Sequence, residues 1–251
     1  MPNNKTGKVI AVYKPFGLTP LATLHRLREK YPEYRDVKLS YAGRLDPLAE
    51  GIMPVLIGEA NYDREKYLGL DKEYEFTILF GVRTDTGDVL GRITDTGEAK
   101  NLTAIALEKF LADNLGTIDQ TYPAYSAPII AGKKSFRKQV KIYQAEVLHF
   151  SHQSAGDVVV EILAKLERFN NLNPGQNFRQ SEILTGWQKL ADTLPADLVW
   201  ARAEVKLAAS SGTYVRVLAE RAGQALGCPA LALAINRTKV GGYEVSQALK
   251  I

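Results

Sequence analysis

The chain has 251 residues, 45% of them hydrophobic and 24% charged, which supplies a buried core and argues against wholesale disorder. With 32 Lys and Arg against 28 Asp and Glu, the formal charge is +4, which admits a polyanionic partner without requiring one. A single cysteine, Cys228, excludes an intramolecular disulfide and a multi-cysteine zinc site, and no apolar run reaches the ~18 residues of a membrane span.

His25, His149 and His152 show no metal-ligand spacing, and the segment Met1-Pro2-Asn3-Asn4-Lys5 lacks the apolar stretch of a signal peptide. The expectation is a cytoplasmic protein without membrane or metal.

Residues 8–12 (KVIAV) predict a short buried strand, closed by Lys14-Pro15 and Gly17. From Leu21 the spacing of Leu24, Leu27, Arg28 and Tyr31 predicts a helix that Pro32 stops. A loop spans 40–51. Residues 52–57 (IMPVLI) read as a strand, in which Pro54 argues for an edge or a bulge.

Residues 73–80 alternate, with Tyr74, Phe76, Ile78 and Phe80 on one face, and a turn-rich segment follows over 81–91. A helix is expected from about Thr103 to Asn114, with Asn101 or Thr103 as cap and Gly116 as stop. Residues 157–166 and 202–209 both read as half-buried strands. A helix carrying Val215, Leu218, Ala219, Ala222 and Leu226 then ends at Gly227, with Cys228 a small core residue. Without a βαβ rhythm, the fold class expected is α+β with a mainly antiparallel central sheet flanked by helices and loops. The expectation is one domain over 1–251, with an insertion near 168–200.

The most informative string is Tyr41-Ala42-Gly43-Arg44-Leu45-Asp46-Pro47-Leu48-Ala49-Glu50-Gly51. Proline fixes the backbone beside the acid, and the glycines allow tight turning or close approach of a large ligand. Taken alone, Asp-Pro also suits an Asx turn in which the carboxylate caps its own backbone. Residues 126–145 contain no acid but carry Lys133, Lys134, Arg137, Lys138 and Lys141, with Tyr125, Phe136 and Tyr143 among or beside them. If helical, Lys133, Arg137 and Lys141 share a face. Such a run is either a solvated surface or a grip on RNA. Asp85 and Asp88 do not meet a calcium-loop pattern, so 81–91 reads as turn chemistry.

The string Gly43-x-Leu45-Asp46-Pro47-Leu48-Ala49-x-Gly51 resembles the catalytic motif of the TruB family of pseudouridine synthases. Further matches follow in the family's order: Lys14-Pro15-x-Gly17, Gly58-Glu59-Ala60, Lys72-x-Tyr74, Gly81-x-x-Thr84-Asp85-Thr86, Pro123-x-Tyr125-Ser126-Ala127, Gly212-Thr213-Tyr214-x-Arg216 and Arg237-Thr238-x-x-Gly241.

The resemblance implies a pseudouridine synthase fold and isomerisation of a uridine in the T-loop of tRNA, at conventional position 55, by a cofactor-free monomer. It implies Asp46 as nucleophile, Arg216 as the cation keeping it ionised, and Tyr74 stacking on an everted uracil. Ile235 would form the apolar wall of the pocket. RNA contacts would come from Tyr41, Arg44, Tyr125, Lys133, Lys134, Arg137, Lys138, Lys141, Tyr214 and Arg237, with a gripping loop near 123–145.

Two positions depart from the pattern. Tyr41 stands where a histidine is common, and Arg44 gives a Gly-Arg-Leu-Asp string similar to the sibling RsuA and RluA synthases. An enzyme of that kind acting on another RNA, or a catalytically silent RNA-binding protein, are the alternatives. The sequence stops soon after the last motif, so no C-terminal PUA domain is expected.

Overall fold

The computed structural model describes residues 7–123 and 137–251. Along the chain run β1 (Lys8–Lys14), α1 (Pro20–Lys30), β2 (Leu39–Tyr41), β3 (Glu50–Ile57), α2 (Arg64–Leu68), β4 (Lys72–Phe80), β5 (Val82–Thr84) and β6 (Ile93–Thr96). There follow α3 (Ala104–Asp113), β7 (Gly116–Thr121), β8 (Arg137–Ser154), α4 (Ala155–Leu172), α5 (Gln180–Thr193) and β9 (Val199–Ala209). The last elements are α6 (Val215–Ala225), β10 (Ala230–Val240), β11 (Tyr243–Glu244) and β12 (Leu249–Lys250). They divide into two compact units, Met1–Tyr74 with Asn236–Ile251, and Glu75–Ile235. Strands β4 and β10 contribute residues to both.

In the first unit the strand order is β12-β1-β3-β10, with β2 on β3 and β11 on β10. β1 pairs antiparallel with β3 from Lys8↔Ile57 to Lys14↔Gly51, while β3 meets β10 in parallel at Glu50↔Asn236 and Gly51↔Arg237. Helix α1 starts one residue before the Leu21 expected: Thr19 accepts from the Ala22 N–H at 3.1 Å and Pro20 opens the first turn. Its Leu24 and Leu27 pack on Ile10, Val12, Met53 and Val55, but Leu21 faces solvent at 58% exposure.

The Pro54 expectation is corrected, because β3 is paired with β1 on one side and with β2 and β10 on the other. The Pro54 carbonyl accepts from the Ala42 N–H on the β2 side. Its hydrogen-free nitrogen lies on that side too, in the gap between the β2 and β10 pairings, so the β1 ladder loses no bond.

In the second unit the order is β10-β4-β9-β8-β7, with β5 and β6 forming a separate two-stranded sheet. β7–β8 and β8–β9 are antiparallel. The alternation of β4 is as read, with Tyr74, Phe76, Ile78 and Phe80 all buried. β9 buries every second residue from Ala201 to Ala209. Thr103 caps α3, and Gly227, at φ +69°, follows α6.

One expectation fails here, and one condition is not met. Residues 157–166 are not a strand but the middle of α4, which buries Ala155, Val158, Val159, Ile162, Leu166 and Phe169 at helical spacing. Burying each large apolar side chain contributes roughly 1.5–3 kcal/mol, against a helix-propensity cost for valine of a few tenths. The basic run, where described, is not helical either. Arg137, Lys138 and Lys141 lie on β8, so period 2 sets Arg137 and Lys141 on the exposed face and half-buried Lys138 on the face of Val140 and Ile142. The segment expected as an insertion from 168 begins inside α4. The whole excursion, 155–198, leaves and rejoins the sheet at Ser154↔Val199.

Candidate active site

The loop 42–49 hangs between β2 and β3 and is pinned from several directions in the first unit. The Gly17 N–H donates to the Pro47 carbonyl at 2.8 Å, and the Ala49 N–H closes a turn on the Asp46 carbonyl at 3.0 Å. Leu45 and Leu48 are buried on either side of half-buried Asp46, while Arg44 is exposed. The loop therefore presents Asp46 from between two apolar anchors. The backbone carbonyl of Asp46 closes this turn.

Two buried cations brace this loop. Lys14, wholly buried at the end of β1, donates to the Ala49 carbonyl and, at 3.1 Å, to that of Pro15. Burial pushes its ammonium down to about 7, against the pull of Asp46 and Glu50, with Arg237 adding to the fall.

Arg237 is 2% exposed. Its Nε donates to the Ile52 carbonyl at 2.7 Å, and its Nη2 and Nη1 donate to the carbonyls of Gly43 at 3.1 Å and Arg44 at 3.3 Å. It also hydrogen-bonds the Tyr74 hydroxyl. Burial lowers its pKa, and Tyr74 and Asp46 raise it; burial likewise holds the Tyr74 phenol high, with Arg237 pulling it down and Asp46 pushing it up. Arg237, expected among the RNA contacts, is buried and donates to the loop carbonyls.

The first unit thus brings Asp46, Tyr74 and Arg237 into mutual electrostatic contact, with Tyr41 half-buried at the end of β2. The motif Lys14-Pro15-x-Gly17 by itself assigns Lys14 no role. The signal for it was parity, since alternation on β1 puts Lys14 on the inward face of Ile10 and Val12.

The second unit holds Arg216, Tyr214, Ile235, Arg137, Lys138 and Lys141. Arg216 opens α6 and is not a surface residue but 3% exposed. Its Nη1 donates to the Thr86 carbonyl, and its Nε lies 3.5 Å from Asp88 Oδ2. Asp88 is fixed in turn by the Thr86 hydroxyl at 2.9 Å and the Leu90 N–H at 2.9 Å. The turn 84–91 is therefore a cradle for a buried guanidinium, a role the turn reading missed.

Gln120, buried on β7, exchanges both amide bonds with the Tyr214 backbone, Oε1 accepting at 2.8 Å and Nε2 donating at 3.0 Å. The Tyr214 ring meets Tyr122 edge-on at 5.6 Å, and Ile235 is buried. Tyr125, Lys133 and Lys134 lie outside the described residues. Among the described residues no cluster of three His, Cys, Asp or Glu could share a metal ion, and no helix is long and apolar enough to cross a membrane.

A model of the TruB family pseudouridylate synthase N-terminal domain matches residues 30–165, more than half of the chain. The tRNA pseudouridine synthase B of Burkholderia mallei is 31% identical over 243 residues, covering 97% of this chain and 67% of the relative. That of Marinomonas sp. (strain MWYL1) is 30% identical over 235 residues, with 94% and 64% coverage. The chain belongs to the TruB family of pseudouridylate synthases.

It spans somewhat under two thirds of the length of several of these relatives, such as the 64% and 65% covered in the Marinomonas and Nitrosococcus oceani proteins. The fold is shared with a chain in the crystal structure of a Cbf5-Nop10-Gar1 complex, with TM-score 0.61 and 18% identity over 99% of this chain and 53% of that one. A chain of an H/ACA RNP bound to a substrate RNA containing 2'-deoxyuridine aligns at TM-score 0.58 and 17% identity, with 96% and 50% coverage.

Proposed function

We propose that this chain isomerises a uridine to pseudouridine in the T-loop of tRNA, acting as a monomer in the cytoplasm. The observation that carries the reading is the pinned loop: Asp46 sits half-buried between Leu45 and Leu48, on a backbone locked by Lys14 and Arg237. A carboxylate acting on a large ligand needs this geometry, because a fixed backbone removes the entropy of finding the reacting position.

In the proposed reaction a target base stacked in a folded loop is first everted. The Asp46 carboxylate adds to the nucleoside, at C1′ or at C6, the N1–C1′ bond breaks and the freed uracil turns. C5 then bonds to C1′, the bond to Asp46 breaks to release the carboxylate, and the C5 proton leaves while N1 takes one up, so atoms and electrons balance without a redox partner. Arg216, always charged and capable of bidentate bonding, is the cation proposed to keep Asp46 ionised as water is excluded. Tyr74 supplies a ring for the uracil to stack on, and Ile235 an apolar wall. Tyr41, Arg44, Tyr214 and the exposed side chains of β8, Arg137 and Lys141, are proposed to meet the RNA.

The test is direct. Purified protein is incubated with unmodified tRNA transcript, pseudouridine is mapped chemically, and the assay is repeated with Asp46→Asn. Modification confined to the T-loop by the wild type, lost in the variant while tRNA binding persists, is the expected result. Equal modification by both proteins removes Asp46 from its role.

A further inference from the structure

The excursion 155–198 has no topological necessity. Ser154 and Val199 stand opposite each other in the β8–β9 pairing, so a tight turn could join them. Instead the chain builds α4 and α5, and the join ahead of α5 carries an unusual backbone. Arg179 lies at φ +59°, the left-handed region, which no other non-glycine residue among those described adopts. That conformation is unfavourable for a side chain with a Cβ and persists only where surrounding contacts enforce it.

The side chain of Arg179 is held by Asp85. Arg179 Nη1 lies 2.6 Å from Asp85 Oδ2 and Nη2 lies 3.2 Å from Oδ1, a fork-on-fork pair. Asp85 also accepts from the Arg92 backbone N–H at 2.8 Å and from Arg92 Nε at 3.1 Å. Arg92 Nη1 in turn reaches Glu182 in the first turn of α5 at 3.2 Å. The excursion therefore grips the 84–91 turn at Asp85 and, one residue beyond it, at Arg92. Gly91 leaves the room for this, since a Cβ there would lie 2.8 Å from Asp85 Oδ1.

Burial pushes the Asp85 carboxyl up, but the bonds from Arg179 and Arg92 outweigh it and bring it to about 2. The next residue after Asp85 is Thr86, whose carbonyl receives the Arg216 guanidinium and whose hydroxyl fixes Asp88, the ion-pair partner of Arg216. One peptide unit thus separates the Arg179 clamp from the Arg216 cradle.

We propose that Arg179 is a positioning residue for Arg216: the α4–α5 excursion exists to hold the 84–91 turn in the shape that fixes that guanidinium. The inference rests on the reading of Arg216 as a participant in pseudouridine formation. A purely structural ion pair would stabilise the excursion and nothing else. A bidentate, networked pair contributes to stability under either reading, so the melting temperature serves only to show that the variants are folded. Displacement of a reacting group, by contrast, lowers rate steeply.

The experiment compares the wild-type chain with Arg179→Ala, Arg179→Lys, Asp85→Asn and the Arg179→Ala/Asp85→Asn double variant. It measures the single-turnover rate on tRNA transcript, the tRNA dissociation constant and the melting temperature. Arg179→Ala is expected to slow the rate by about tenfold or more with tRNA affinity unchanged. Arg179→Lys should recover part of the rate, and the double variant should be no slower than the slower single one.

A second readout needs no activity: hydrogen exchange at Arg216 Nε, followed by NMR, should quicken in Arg179→Ala. A wild-type rate in folded Arg179→Ala, additive losses in the double variant, or unchanged exchange at Arg216 overturns the proposal. A wild-type chain that makes no pseudouridine overturns the functional reading instead, and the exchange measurement then decides the coupling alone.

Discussion

Lys14 and Arg237 are cations enclosed by protein, and each donates chiefly to backbone carbonyls of the Asp46 loop or its flanks. A guanidinium can stay charged in such a place, whereas an ammonium titrates more readily when buried. The Lys14 ammonium, at 10.5 when free, falls to about 7 in the fold. Between those values the unfolded chain holds a proton that the folded chain has released, so this site's contribution to stability rises with pH over that window and is flat below it.

Two groups oppose the trend at higher pH. Burial pushes the Cys228 thiol from 9.0 to about 11, and burial with Glu50 pushes Tyr13 from 10.0 to about 12. In both cases the folded state keeps a proton that the unfolded state has lost, and stability declines as pH rises through the gap. The Lys14 effect is therefore to be read between pH 7 and 9. Urea denaturation at pH 7, 8 and 9 should show wild-type stability gaining on Lys14→Met as pH rises; parallel curves for the two proteins would rule the assignment out.

Among elements, the parallel contact of β3 with β10 sets the register of the Asp46 loop. It depends on Gly51, which pairs with Lys14 on one side and Arg237 on the other. Gly51 lies at φ +112°, and a Cβ there would fall 2.7 Å from the Arg237 backbone nitrogen and closer still to its carbonyl oxygen. Gly51→Ala is expected to destabilise by about 2–4 kcal/mol, combining backbone strain with overpacking. Gly186→Ala, on α5 where a Cβ meets nothing within 4 Å, should be neutral or stabilising by up to about 1 kcal/mol. Equal urea midpoints for the two variants would mean β3 and β10 can part without cost.

The contrast between β4 and α4 shows where local pattern suffices. Residues 73–80 alternate strictly, and alternation has one structural meaning. Residues 157–166 contain Val158-Val159-Val160, which fits a strand by propensity, while Val158, Ile162, Leu166 and Phe169 fit a helix by period. Only the surface available for packing separates the two, and a ten-residue window does not contain that surface.

For the whole molecule, a net charge of +4 offers little general attraction to RNA, so affinity must come from where cations are displayed. Arg137 and Lys141 alternate with Lys138 along β8 and face outward. If both meet phosphates, Arg137→Ala and Lys141→Ala should each reduce the slope of log affinity for tRNA against log salt by about 0.7–0.9. Filter binding across a salt series measures this, and two unchanged slopes would take these side chains off the RNA.

The amino-acid order by itself determined the features that depend on neighbours a few residues away. These include the Thr103 cap, the stop at Gly227, the alternation of β4 and β9, and an Asp-Pro loop bounded by glycines whose motif marks the family. The tertiary structure alone decided which charged residues go inside and what they hold. Arg179 meets Asp85, and Gln120 clasps Tyr214, across 94 residues of sequence in each case. Arg237 reaches Gly43 across 194 residues. No periodicity carries information over such separations. A buried polar group is satisfied by whatever donor or acceptor folding brings beside it, and that choice is made only when the sheet has closed around it.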